Sequence, residues 1–304
     1  MSATEDTLED LESRIRTILP EQYQHSYEEV KPISMGSAAL RYDDNGQVAW
    51  DDMWESFCDL AMAGGPPHKG RLLLPGSAAN VRANSQEYRA VVDEICRGIT
   101  QVTDLEAVMS THPGWVEVTC DDEVMAEWLV RAIAMENVSV RWEGDRLYLP
   151  ASPHFRLEKE IKNVVTVIAK TCHYWVDHMW ISQIRQITRL FSEMSLKSPL
   201  IQIAFSDYDT SEHRTFERAL IDKVHSSTGL ELEPERQYGW AGVVCPSVNS
   251  AIWLMRGLVA SNILSRREGT TLFVPFGTAD AAQADRVIGK LAQITRFARD
   301  RQVL

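Results

Sequence analysis

The sequence lacks the short patterns that mark the commonest enzyme classes. It contains no G-x-S-x-G, Walker, H-E-x-x-H or G-x-G-x-x-G pattern, and these patterns are typical of hydrolases, nucleotide-binding proteins, zinc proteases and dehydrogenases. Its five cysteines are scattered and form no C-x-x-C pair. Such spacing does not suit zinc and is typical of reduced thiols in a reducing compartment such as the cytoplasm. The sequence identifies no cofactor.

Positive charge and long apolar runs are also scarce. The formal net charge is -12 and the sequence pI is about 5.2, which disfavours binding to nucleic acid or to an anionic membrane. No apolar run approaches the ~20 residues of a membrane span. The first residues have neither a basic start nor an apolar core, so no signal peptide is expected. These features predict a cytoplasmic protein without nucleic-acid or membrane partners.

One stretch of the sequence occurs twice. Residues 114–150 align without a gap on residues 239–275, and fourteen of the thirty-seven positions are identical, where unrelated sequences would share about two. The identical pairs include Cys120 with Cys245 and Arg131 with Arg256. This similarity predicts an internal duplication.

The apolar periodicity of each copy predicts the order β-α-β-α-β-β-α. We therefore expect an α/β protein of two tandem homologous repeats. The repeats should pack about a pseudo-twofold axis, as two subunits do at an isologous interface. Residues 1–69 are expected to form an N-terminal extension, residues 70–195 the first repeat with a long bridging helix, and residues 196–304 the second repeat.

The extension is predicted to be a helix, a hairpin and a second helix. Apolar spacing favours a helix over residues 5–19, Asn45-Gly46 favours a hairpin turn, and residues 51–63 favour a second helix. The glycine- and proline-rich loop 64–70 precedes a strand instead of following one, so a rigid connector is favoured over a phosphate cradle. Residues 157–194 predict either one bent helix or two helices joined near His178.

Two cysteines are candidate nucleophiles. Cys120 and Cys245 each end a strand before a helix, and Pro246 suits a first helical position, which would make Cys245 the N-cap and favour its thiolate. Asp121 and Asp122 would oppose that effect at Cys120. The alternative is that both cysteines are small buried residues of the core.

Two tryptophan–arginine pairs are candidate ligand-binding groups. Trp128 with Arg131, and Trp253 with Arg256, lie three apart on predicted helices and share a face. Each arginine could stack on its indole and still bind a carboxylate or phosphate. The alternative is a structural arginine that fixes its helix to the neighbouring hairpin.

The densest group of metal-ligand residue types lies on the predicted bridging helix. His173 and Asp177 are four residues apart and could share an ion, although Cys172 and His178 point away from that line. The alternative is an ordinary histidine–aspartate pair on the surface.

These candidates lead to two hypotheses for the function. The first is a binding or accessory protein that holds a small acidic ligand or a protein partner between its two repeats, through Trp128, Arg131, Trp253, Arg256 and Cys120. The second is a thiol-dependent enzyme that uses Cys245. The sequence leaves open whether the chain forms a homo-oligomer.

Overall fold

A computed structural model describes residues 6–25, 39–53, 59–205, 222–233, 239–276 and 281–304. They form a mixed structure of helices and small antiparallel sheets, compatible with the predicted α/β class. The chain divides into two compact units. The central unit comprises Val30–Ala61 and Gly65–His178, and the C-terminal unit comprises Met1–Glu29, Met62–Gly64 and Met179–Leu304.

The helices and strands are numbered separately in chain order. The helices are α1 (Leu8–Ile18), α2 (Ala78–Ala83), α3 (Ser85–Thr103), α4 (Glu123–Met135), α5 (Lys162–His178), α6 (Ile181–Lys197), α7 (described over residues 222–228), α8 (Val248–Val259) and α9 (Ala281–Asp300). The strands are β1 (Glu106–Met109), β2 (Trp115–Thr119), β3 (Arg141–Glu143), β4 (Arg146–Pro150), β5 (Trp240–Val244), β6 (Arg266–Glu268) and β7 (Thr271–Pro275). None of the helices described is both long and apolar enough to cross a membrane.

Within the described residues, each unit contains one antiparallel sheet. The central sheet has the strand order β1-β2-β4-β3, and the C-terminal sheet has the order β5-β7-β6. In the central sheet Trp115 pairs with Pro150, and in the C-terminal sheet Trp240 pairs with Pro275. Every pair of the C-terminal sheet lies 125 positions after a pair of the central sheet, as from Trp115 to Trp240. The two sheets therefore have the same register in their three shared strands.

The turns that follow α4 and α8 also have the same geometry. Asn137 and Asn262 adopt left-handed backbone angles, with φ of 61° and 64°. Their side-chain Nδ2 atoms donate to the carbonyl oxygens of Lys69 and Ser198, each at 2.8 Å. Asparagine is one of the few non-glycine residues that adopt this conformation readily, which explains why it stands at both positions.

The first strand of each copy, predicted over residues 71–76 and 201–208, makes a single bridge among the described residues, and residues 206–208 lie outside them. Leu73 makes a single parallel bridge to Val138, and Ile201 makes a single parallel bridge to Ile263. Conversely, β1 is a full strand that the apolar pattern did not predict. Its residues are mostly exposed, so they lack the alternation of apolar and polar residues that identifies a half-buried strand.

The predicted bridging helix is two helices. α5 ends at His178 and α6 begins at Ile181, with Trp180 as an extended N-cap residue. The break coincides with a change in the buried stripe, from Cys172 and Trp175 on α5 to Ile187 and Phe191 on α6. Of the two alternatives from the sequence, two joined helices is the observed one.

The predicted extension is described in part. α1 buries Leu11, Ile15 and Ile18, and Thr7 forms a capping box with Asp10 at its start. The predicted hairpin is a turn at Gly46, closed by a single bridge between residues 42 and 48. Of the predicted helix over 51–63, the first and last three residues form 3₁₀ turns, and residues 54–58 lie outside the described residues.

The core of each unit surrounds one helix. All side chains of α4 from Met125 to Met135 are buried, and so are those of α8 from Ser250 to Val259. Apolar residues on every face of a helix require neighbours on every face. This burial determines the surroundings of the candidate arginines, because both arginines lie on these two helices.

Candidate functional site

Arg131 is wholly buried in the central unit and binds a side chain of its own helix. Its Nη1 atom donates to the carbonyl oxygen of Glu127 at 2.6 Å, and its Nη2 atom lies 3.0 Å from the carboxylate of Glu127. Burial lowers the pKa of Arg131, and Glu127 opposes this effect. Trp128 packs against Trp175 with a ring separation of 5.5 Å. Arg131 and Trp128 thus lie inside the core.

Arg256 has an equally internal position in the C-terminal unit. Its side chain is buried, and its Nε atom donates to the carbonyl oxygen of Met62 at 2.9 Å. Trp253 is also fully buried. The structure therefore places each tryptophan–arginine pair within the core of its own unit.

Both candidate cysteines are buried, and Cys245 does not cap a helix. The N-cap of α8 is Ser247, whose side chain accepts a hydrogen bond from Ser250 N, so the predicted capping role of Cys245 was wrong. Burial raises the pKa of Cys245 to about 12. Burial, followed by the charges of nearby aspartates, raises the pKa of Cys120 to about 12 as well. These environments favour the protonated thiol over the thiolate nucleophile.

We expect Cys120 and Cys245 to resist alkylation in the folded protein. A thiol with a pKa near 12 is almost entirely protonated at about pH 8.5, where a free cysteine is half ionised. Iodoacetamide should modify these residues quickly only in denatured protein, as measured by mass spectrometry of the tryptic peptides. Native modification of Cys245 as fast as in urea would contradict its assignment to the core.

His173 and Asp177 do meet on α5. The Nδ1 atom of His173 lies 2.7 Å from Oδ2 of Asp177, and its Nε2 atom lies 3.3 Å from Nε2 of His178. The ring of His178 also packs against Tyr174 at a centroid distance of 4.9 Å. Across the described ranges, no group of three histidine, cysteine, aspartate or glutamate side chains is placed to hold a metal ion. His178 thus contacts His173, although the sequence predicted that it points away, and the described residues still hold no group of three placed to bind an ion.

A buried ion pair, which the sequence did not reveal, holds the glycine- and proline-rich loop. The Nζ atom of Lys170 lies 2.7 Å from Oε1 of Glu136, and neither side chain is exposed. The same carboxylate accepts hydrogen bonds from the backbone N–H groups of Ala61 at 2.9 Å and His68 at 2.8 Å. Burial and, next, the charge of Lys170 lower the pKa of His68. These amides thus bind an internal carboxylate, consistent with a rigid connector.

A polar groove lies between α1, α6 and α9 of the C-terminal unit, with a volume of about 470 Å³. Its charged groups largely neutralise one another. Asp6 binds Arg14 at 3.0 Å and Lys290 at 2.9 Å, and the Nε atom of Arg14 donates to the carbonyl oxygen of Ala260. Asp6, Arg14 and Lys290 of this groove are therefore held in contacts within the unit.

A second groove of the C-terminal unit lies beside the start of α6. This Trp180 groove has a volume of about 430 Å³, within the usual size range of binding sites. Trp180, which lines the groove, is 67% exposed, and the next residue along the chain, Ile181, is 70% exposed. The residues that line the groove are Glu21, Gln24, Trp180, Ser182, Gln183 and Gln186.

No match to a known protein assists the functional assignment. No protein-family model matches the chain, and neither the curated proteins nor the solved structures include a significant match to it. Its function has to be inferred from the geometry of its own residues.

Proposed function

We propose that this chain is a binding or accessory protein that docks a partner protein at the Trp180 groove. The observation that carries the proposal is the exposed Trp180 in the lining of that groove, followed along the chain by the exposed Ile181. Single exposed apolar residues are common, but tryptophan is enriched among the residues that dominate binding energies at protein interfaces. An exposed indole beside a cavity offers a partner both an anchor and a pocket.

The partner is a protein, in preference to a small acidic ligand held by the duplicated arginines. Arg131 and Arg256 are buried and donate hydrogen bonds to Glu127 and to the carbonyl oxygen of Met62. A ligand carboxylate would have to displace these contacts and enter a packed core. The Trp180 groove is accessible without such a rearrangement.

We also propose that the two units are homologous. The protein is further proposed to reside in a reducing compartment. The shared sheet register and the two left-handed asparagines support an internal duplication. The four described cysteines are all free thiols, which supports a compartment such as the cytoplasm.

The proposal predicts that a photo-cross-linking amino acid at position 181 captures one partner protein in cells that express the chain. The Trp180→Ala substitution should weaken that capture by about 30-fold, as expected for the loss of a tryptophan that dominates an interface. Mass spectrometry of the adducts identifies the partner and measures its yield.

The matched control places the same cross-linker at position 196. Leu196 is 88% exposed on the same helix, about 22 Å along the axis from residue 181. Equal capture at both positions, or capture that survives Trp180→Ala, would contradict the proposal. An adduct consisting only of two copies of this chain would also contradict it, because the partner would then be the chain itself.

A further inference from the structure

We infer that the Trp180 groove binds an arginine side chain from a basic segment of the partner protein. This inference rests on the proposed function and specifies the chemistry of the partner. Three features of the groove select a cation that carries N–H groups: a buried hydrogen-bond acceptor on Gln183, the negative end of α1 with Glu21, and the exposed face of Trp180.

The first feature is the amide oxygen of Gln183. The side chain of this residue is 6% exposed, and its Nε2 atom donates to the carbonyl oxygens of Thr17, at 3.2 Å, and Leu19. Carbonyl oxygens only accept hydrogen bonds, so the nitrogen of the amide has to face them. The buried Oε1 atom of Gln183 has no hydrogen-bond partner among the described residues. A buried acceptor without a partner is costly. Gln183 lines the groove, so a ligand N–H group that reaches this oxygen would satisfy it.

The second feature is the negative charge that the end of α1 and Glu21 bring to the groove, where the start of α6, which has no side-chain cap, contributes the opposite sign. Gln183 binds carbonyl oxygens of the last turn of α1 and its C-cap, and the carboxyl end of a helix favours positive charge. The exposed Glu21 adds a full negative charge and is the one ionisable residue among the described residues that line the groove. The net charge of -12 on the whole chain attracts a basic partner at long range.

The third feature is the indole of Trp180. A cation stacked on an indole face is attracted by the ring, and the planar guanidinium of arginine stacks better than the ammonium of lysine. Arginine also has five N–H donors, enough to supply both the Gln183 acceptor and the Glu21 carboxylate. A quaternary ammonium would stack on the indole but could not donate to Gln183. The groove therefore matches arginine more fully than the other cations.

The test uses the full chain labelled with 5-fluorotryptophan. Fluorine NMR follows the resonance of Trp180, which is identified as the resonance that is missing from the Trp180→Phe variant. The probes are short capped peptides of glycine around one central residue. The arginine peptide should shift the Trp180 resonance and bind about tenfold more tightly than the citrulline peptide, which keeps the shape but loses the charge. A trimethyllysine peptide, which keeps the charge but has no side-chain N–H group, should also bind about tenfold more weakly than arginine.

Two variants test the contribution of the groove itself. Glu21→Gln should weaken binding of the arginine peptide by about threefold to fivefold, as expected for an exposed ion pair. The matched control Glu193→Gln changes an exposed glutamate of α6 that does not line this groove and should leave binding unchanged. An equal effect of both variants would mean that binding of the arginine peptide depends only on the overall charge of the chain. That outcome would overturn the inference.

The remaining outcomes separate this inference from the proposed function. Equal binding of the arginine and citrulline peptides, alongside cross-linking that depends on Trp180, would overturn the arginine site and leave the partner site standing. Free arginine amide that binds as tightly as the peptide would identify a small-molecule ligand and overturn the assignment to a partner segment. Arginine-specific binding without any Trp180-dependent adduct would contradict the proposed function instead.

Discussion

The Glu136→Gln variant is expected to lose about 3–5 kcal/mol of stability in the central unit, the cost of breaking a buried ion pair by removing one partner. Lys170 would keep a buried ammonium whose partner at 2.7 Å has lost its charge. The carboxylate also binds two backbone N–H groups of the loop region, and a glutamine has a single side-chain oxygen for these three donors. Hydrogen exchange measured by mass spectrometry should show faster exchange in peptides from α3, α4 and α5.

A surface pair of the same unit provides the control for this prediction. Arg156 and Glu160 are 2.8 Å apart, with the arginine side chain 62% exposed. Glu160→Gln should therefore cost at most about 1 kcal/mol. Adding Lys170→Met to Glu136→Gln should restore part of the lost stability, because it removes the buried ammonium that has lost the charge of its carboxylate. A Glu136→Gln variant that exchanges like the Glu160→Gln control would show that the buried pair does not hold the unit together.

The position of the Trp180 groove could not be predicted from the sequence. The helical periodicity of residues 157–194 was visible, but the groove depends on which residue ends α5 and where Gln183 meets the end of α1. That contact joins residues 166 positions apart. Residues separated this far come together through packing, which local patterns do not encode.

The burial of the candidate residues shows a second limit of the sequence. The predicted helices around Arg131 and Arg256 are present as α4 and α8, but the periodicity did not show that every face of both helices is buried. The strand-to-helix position of Cys245 was also visible, whereas the N-cap lies two residues later, at Ser247. A serine whose side chain accepts a hydrogen bond from the first turn is a strong N-cap, and this preference outweighs that of proline for the first helical position.

The hairpins of the two copies were more predictable because their turns depend on a few residues. Gly144 and Gly269 both have positive φ in the turns between the paired strands, and glycine adopts such angles at little cost. The continuous apolar runs after these turns predict strands, and β4 and β7 are buried almost throughout their length. The first strand of each copy was predicted from the length of its apolar run. Within the described residues each of these segments makes a single backbone bridge.

Gly114→Ala is expected to destabilise the central unit by about 2–5 kcal/mol, the sum of a left-handed backbone penalty and overpacking. Gly114 has a φ of 90°, and a Cβ atom there would lie 2.2 Å from the carbonyl oxygen of Gly76. The backbone cannot easily move away, because Gly114 N donates to the hydroxyl of Tyr88 at 3.0 Å and Gly114 O accepts from Ala151 N at 2.8 Å. Thermal unfolding followed by circular dichroism should show a lower transition temperature.

The Gly144→Ala variant separates the two contributions to this loss. Gly144 also has a positive φ, of 64°, but a Cβ atom there would meet nothing within 4 Å. Its cost should be the backbone term alone, about 1–2 kcal/mol, so the difference between the two variants measures the contact with Gly76. Equal losses would mean that the loop around Gly76 yields to the new methyl group. A larger loss at Gly114 would instead show that this close approach of two backbone segments requires glycine for its lack of a side chain as well as for its φ angle.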